Sequence, residues 1–198
     1  MGMYAPFKTF LEQLKSTKPD VKIHYVVSCL NDSPPPKGEG QFITSQDPDT
    51  IQYGDSTKIR DEVEALTKNT SDMPVILIGH SYGGWASMYL TETIRPSIRI
   101  SALFTLDAIS TECGPFQVVM GSAPCKQAPK DLNNKLIIKR VNHWENFYQN
   151  QDSWLHSSEI PEALNHLMTY RGPHTQIDSD PNVWNLIRIG VLNLKQFD

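Results

Sequence analysis

Four apolar residues, Val75-Ile-Leu-Ile78, run directly into Gly79-His-Ser-Tyr-Gly-Gly84, and a helical pattern, Trp85-Ala-Ser-Met88-Tyr89-Leu90, leaves it. Such a junction requires a buried strand to stop and a helix to start within one or two residues. A turn that sharp forces its central residue, Ser81, into a strained conformation, and small residues two before and two after relieve the crowding. Gly79 and Gly83 meet that need, and Gly84 lets helix and strand approach closely. The turn lifts the Ser81 hydroxyl above the sheet edge, at the positive end of the helix that follows. A bare Gly-x-Ser-x-Gly is a weak signal; the strand before it and the amphipathic helix after it make it specific.

The remainder of the chain alternates helix and strand patterns. Phe7, Phe10, Leu11 and Leu14 recur at helical spacing, and Lys18-Pro-Asp20 ends that element. Residues 21–30 are rich in β-branched and aromatic side chains and read as a buried strand. Residues 31–54, with a Pro-Pro-Pro run, are too long for a passive connector. Asp55 or Ser56 can cap a helix whose Ile59, Val63 and Leu66 face one way. After a helix at about 82–94, residues 98–106 predict a third strand and Lys135–Val141 a fourth. His166 lies in Ala163-Leu-Asn-His-Leu-Met168 at helix-like spacing. Asp180-Pro181 is a cap plus first-turn proline, opening a last helix with Val183, Trp184, Ile187 and Val191 inward. Alternating elements with near-continuous apolar strands predict an α/β fold, a mostly parallel sheet flanked by helices on both faces. At 198 residues the length suits one domain over 1–198.

Composition excludes several classes. With 39% hydrophobic and 20% charged residues and a net charge of −4, the chain has neither a basic balance nor a polybasic cluster for nucleic acid or anionic lipid. Its apolar runs fall far short of the roughly 18 residues that span a bilayer. The start lacks a signal-peptide profile, so an intracellular chain or a mature secreted one is expected. Cys29 reads as a buried thiol, and Cys113 and Cys125 bracket a loop that a disulfide closes if the compartment is oxidising. Neither Cys113 nor Cys125 has a CxxC neighbour or a close histidine, so no zinc site is expected, and no cofactor is expected for the chain. Gly79–Trp85 lacks the lysine and length of a phosphate-binding loop.

Gly79-His-Ser-Tyr-Gly83 resembles the nucleophile elbow of α/β-hydrolases, and the likeness extends in element order over about residues 4–195. The resemblance implies a compact α/β-hydrolase with a Ser–acid–His triad in that chain order. Ser81 is then the nucleophile. His174, in the turn-rich Tyr170-Arg-Gly-Pro-His174 segment before the last helix, is the base. His80 reads as a packing or hydrogen-bonding residue, with its side chain turned away from Ser81. His143 and His156 are weaker candidates that line the mouth. Asp107, at a strand end in Leu106-Asp107-Ala108, is the acid; the run resembles the Leu-Asp-Pro of pancreatic-type lipases, with alanine in place of proline. Glu145 and Asp152 stay open as alternatives, since other hydrolases carry the acid one strand later. The backbone N–H of Tyr82 is one oxyanion donor, and the second is assigned to Leu30, with Asn31, Met3 and Tyr4 also open. An apolar tip (Phe116, Val118, Val119, Met120) and an aromatic stretch after His143 suit an acyl chain. The function implied is cleavage of carboxylic esters, lipid or acyl esters foremost, through an acyl-enzyme. The expected partner is a small-molecule acyl ester, with a lipid interface left open. An acyl-thioesterase, and a hydrolase-fold binding protein that has lost activity, are the alternatives.

Overall fold

The computed structural model describes residues 4–19, 56–68, 73–109, 125–151, 155–169 and 173–194. The sheet is built around β2 (Ile100–Leu106), all seven of whose residues are buried. A strand with neighbours on both edges and helices on both faces has no solvent side, so its sequence does not alternate. β1 (Val75–His80) pairs with it on one edge and β4 (Trp144–Tyr148) on the other, and β6 (Leu164–Leu167) pairs with β4. All three pairings are parallel, in the order β1-β2-β4-β6. β3 (Cys125–Lys126) and β5 (Leu155–His156) form a separate two-stranded parallel ribbon.

Two apolar layers sandwich this sheet. On one face, α2 (Ser56–Thr67), α3 (Tyr82–Thr93) and α4 (Asn134–Arg140) bring Val63, Met88, Leu90 and Ile137 onto Leu103 and Trp144. On the other, α1 (Tyr4–Thr17) and α5 (Pro181–Leu192) bring Phe10, Leu14, Val183, Ile187 and Val191 onto Ala102, Phe104, Leu106 and Phe147. The Trp184 indole joins the two outer helices, its ring 5.6 Å from that of Phe10. Fully burying one such side chain stabilises the fold by about 1.5–3 kcal/mol, so each helix is held mainly by its apolar stripe. At the start of α5, Asp180 accepts a hydrogen bond from the Asn182 N–H (2.8 Å), as an aspartate cap followed by proline should.

Two expected elements differ. Lys135–Val141 reads as a strand but forms α4, because the Asn133 side chain caps it by accepting from Leu136 N–H (3.1 Å). Arg140 fastens its far end, donating to the carbonyls of Thr91, Glu92 and Ile94 at the end of α3 (3.3, 2.7 and 2.7 Å). The chain touches the sheet at Val141, opposite Ile100, and pairs fully only from Trp144. The helix-like Ala163–Met168 segment is instead the edge strand β6, with Leu164 and Leu167 exposed and His166 opposite Phe147. The strand at 21–30, the segment 31–54, Cys29, Cys113 and the tip at Phe116–Met120 lie outside the described residues. No described helix is long and apolar enough to cross a membrane.

Candidate active site

Register brings the site together. His80 stands opposite Leu106 across the β1–β2 pair, so the next residues, Ser81 and Asp107, emerge side by side at the C-terminal edge. Both leave their strands with positive φ, 59° at Ser81 and 46° at Asp107. A non-glycine residue in that region carries strain of order 1–3 kcal/mol, kept only where surrounding contacts over-determine it. Those contacts are present. The Ser81 N–H donates to Leu106 O (2.9 Å), while Ser81 O accepts from Gly84, Trp85 and Ile109 (3.0, 3.3 and 3.3 Å). The Asp107 N–H donates to Phe147 O on β4 (2.6 Å).

The glycines divide by function. A β-carbon on Gly79 would run into the Gly83 carbonyl, and one on Gly84 would lie 2.5 Å from the Ala108 methyl carbon. Gly83 itself faces open space, so the steric need expected there falls on Gly84 instead.

His174 opens a 3-10 turn, His174–Ser179, directly before α5. Its Nδ1 lies 2.8 Å from Asp107 Oδ2 and its Nε2 2.7 Å from Ser81 Oγ. With Nδ1–H donating to the carboxylate, Nε2 accepts from the serine hydroxyl; the tautomer follows from the partners. His174 is 2% exposed and Asp107 fully buried, so the imidazole–carboxylate pair is shielded from water, while Ser81 is half-buried. An arrangement of this kind lets the imidazole take the hydroxyl proton, while the carboxylate steadies the resulting cation.

His80 supports His174 from behind. Its Nε2–H donates to the His174 carbonyl (3.0 Å), and its Nδ1 lies 3.5 Å from Asp178 Oδ2. Burial above all, and then the neighbouring His174, push its pKa below the usual 6.5, against the pull of Asp178. His80 is therefore harder to protonate than a free imidazole.

The alternative acid Glu145 is not at the site. It sits mid-sheet on β4, where Oε1 meets His143 Nε2 (2.5 Å) and Oε2 meets His166 Nε2 (2.7 Å). His156 has its Nδ1 on the Ser157 carbonyl (2.6 Å). Asp152 lies outside the described residues, as do Leu30, Asn31 and Met3 among the oxyanion candidates. Tyr82 is the first residue of α3, directly after Ser81, and its side chain packs on Ile109, as Leu155 does; Tyr4 is the first residue of α1.

Sequence reasoning missed three residues here. Asp178 faces His80, while Gln149 and Ser157 both touch Asp107: Ser157 N–H donates to Oδ1 (2.7 Å) and Gln149 Nε2–H to Oδ2 (3.1 Å). Two of these contacts offered a faint signal, since Gln149 directly follows a buried strand and Asp178 precedes a helix cap. A backbone donor such as Ser157 leaves no trace in residue identity. Among the described residues no cluster of three or more His, Cys, Asp or Glu is placed to hold a metal. A groove of about 690 Å³ between α1 and α5 is lined by Phe10, Pro181, Trp184 and Arg188, and includes none of Ser81, Asp107 and His174. No known family model and no characterised protein matches the sequence.

Proposed function

We propose that this chain is an α/β-hydrolase-type serine hydrolase that cleaves carboxylic esters, with an acyl ester as its substrate class. The observation that carries the reading is the continuous line Ser81 Oγ–His174 Nε2 (2.7 Å) and His174 Nδ1–Asp107 Oδ2 (2.8 Å) at the C-terminal edge of a parallel sheet. In this reading Ser81 Oγ bonds to the ester carbonyl carbon as its proton passes to His174 Nε2. The carbonyl π pair moves onto oxygen, where the Tyr82 N–H donates to it. Collapse breaks the bond to the alkoxide, which takes the proton from His174 and leaves acyl-Ser81. Water repeats the sequence from the other side, with His174 as base and then acid, and releases the carboxylic acid. A thioester reacts through the same steps with a thiolate leaving.

A fluorophosphonate probe tests the reading, because it reacts only with an activated serine. We expect the wild-type chain to be labelled and Ser81→Ala to be blank. A folded wild-type chain that stays unlabelled favours the inactive binding protein instead. A p-nitrophenyl ester series of rising acyl length, set beside the matching thioesters, then identifies the substrate class.

A further inference from the structure

The surroundings of Asp107 carry a second conclusion, which rests on the reading of Ser81 as nucleophile. A carboxylate offers about four lone-pair sites and no donor. Asp107 is fully buried, so an oxygen left without a donor there would be costly. His174 occupies one site on Oδ2. The others meet donors alone: Gln149 Nε2–H on Oδ2 (3.1 Å), Ser157 N–H on Oδ1 (2.7 Å), and more weakly Gln149 N–H on Oδ1 (3.5 Å). Two of these donors are backbone groups, present whatever the side chain. The Gln149 amide is the only side chain besides His174 that hydrogen-bonds to Asp107 among the described residues.

That amide is itself oriented. Gln149 is fully buried, and its Oε1 accepts from the Gln151 N–H (2.7 Å). Turning the amide over would set an oxygen against the carboxylate and an NH₂ against an N–H, so only one orientation is satisfied. Gln149 also follows β4, whose Phe147 carbonyl holds the Asp107 N–H (2.6 Å). The opposite side is tied to the scaffold by hydrogen bonds. The Ser158 carbonyl, next to Ser157, accepts from Asn146 Nδ2 (3.0 Å), and Asn146 Oδ1 accepts from the Thr105 hydroxyl on β2 (3.0 Å). Ser158 Oγ accepts from the Ala128 N–H (3.0 Å). The scaffold thus fixes Oδ1, while Oδ2 is shared between the Gln149 amide and the His174 imidazole.

We propose that Gln149 is a positioning residue for the reaction: it sets the orientation of Asp107, and the share of carboxylate charge that Oδ2 presents to His174. Two substitutions in the full chain test it. Gln149→Met keeps length and removes the donor; Gln149→Glu keeps shape and adds a second carboxylate. With p-nitrophenyl acetate we expect kcat to fall up to about 100-fold in Gln149→Met, the scale of a misplaced reacting group. KM should change less than twofold. The acid limb of the kcat/KM profile should move to higher pH, because more charge on Oδ2 stabilises the protonated imidazole. Gln149→Glu should move that limb further in the same direction.

A merely structural glutamine would lower the melting temperature and kcat without displacing the acid limb. An unmoved limb in whichever variant folds, or wild-type turnover in Gln149→Met, therefore overturns the proposal while Ser81 labelling stands. A wild-type chain that is not labelled removes the underlying reading, and this proposal with it.

Discussion

Two buried carboxylates on adjacent strands each hold histidines, and only one of them reaches a hydroxyl. Asp107 turns out of β2 at the C-terminal edge with φ 46°, and binds one imidazole through one oxygen. Glu145 stays inside β4, under α5, and binds a separate histidine with each oxygen. There the His166 ring stacks on Phe147 (4.7 Å between centres) and Gly190 leaves room for the carboxylate. His143 and His166 both meet Glu145 through Nε2, whereas His174 meets Asp107 through Nδ1 and turns Nε2 toward Ser81. A histidine–carboxylate pair is therefore no signature of chemistry by itself. What separates the two clusters is which ring nitrogen the acid takes, and whether a hydroxyl stands beyond the other.

The comparison breaks most readily through activity. We expect Asp107→Asn to lower turnover of p-nitrophenyl acetate by about 10⁴-fold, the size of effect known when a triad acid is neutralised, with far-UV circular dichroism unchanged. Glu145→Gln should stay within about threefold of wild type. If both variants lose the same activity, the distinction is wrong.

In stability the ranking should invert. Gly190→Ala places a methyl carbon 2.7 Å from Glu145 Oε1 and 3.0 Å from the Phe104 ring. Crowding of that kind costs about 1–3 kcal/mol, which urea unfolding measures, while Ser81 stays reactive to the probe in the folded fraction. Unchanged stability would mean that α5 does not press on the Glu145 cluster.

The smallest effect sharpens the role of His80. Its pKa is held below the ordinary 6.5 in the fold, so below about pH 6.5 the unfolded chain takes up a proton that the native state refuses. The stability His80 contributes is thus complete above pH 6.5 and declines as pH falls from there. His80→Gln keeps a donor for the His174 carbonyl and removes the titration. Its stability–pH curve should be flatter than that of wild type below pH 6.5; parallel curves would sink this account.

The elements around Ser81 were legible because local chemistry and tertiary need agree there. An apolar run, small residues and a helical pattern after them each demand the same turn, and Asp180-Pro181 fixes the start of α5 through local chemistry too. Lys135–Val141 misleads because Ile137, Ile138 and Val141 favour a strand; the Asn133 cap is a local signal that the apolar run outweighed, while the Arg140 anchor is tertiary in origin. His166 misleads in the other direction, a four-residue edge strand being too short to show a period of two. For the proposed triad, residue type and chain order were enough to nominate Ser81, Asp107 and His174. They could not choose between Asp107 and Glu145, because that choice depends on register and on which way a side chain leaves its strand. Gln149 is the deeper omission, since a buried amide serving a carboxylate looks in sequence like any polar residue after a strand.

The contact between Gly84 and Ala108 has a mechanical meaning. Helix α3 rests on the end of β2 as one solid rests on another, with Ala108 fully buried beneath it. The height of Ser81 over the sheet is therefore gauged by a spacer, the methyl group at position 108, which belongs to neither strand nor helix of the turn. A bulkier residue there would tilt α3 and carry the hydroxyl away from the imidazole, with Ser81, Asp107 and His174 all still in place. The reach of the serine is governed by the thickness of a group that makes no hydrogen bond at all.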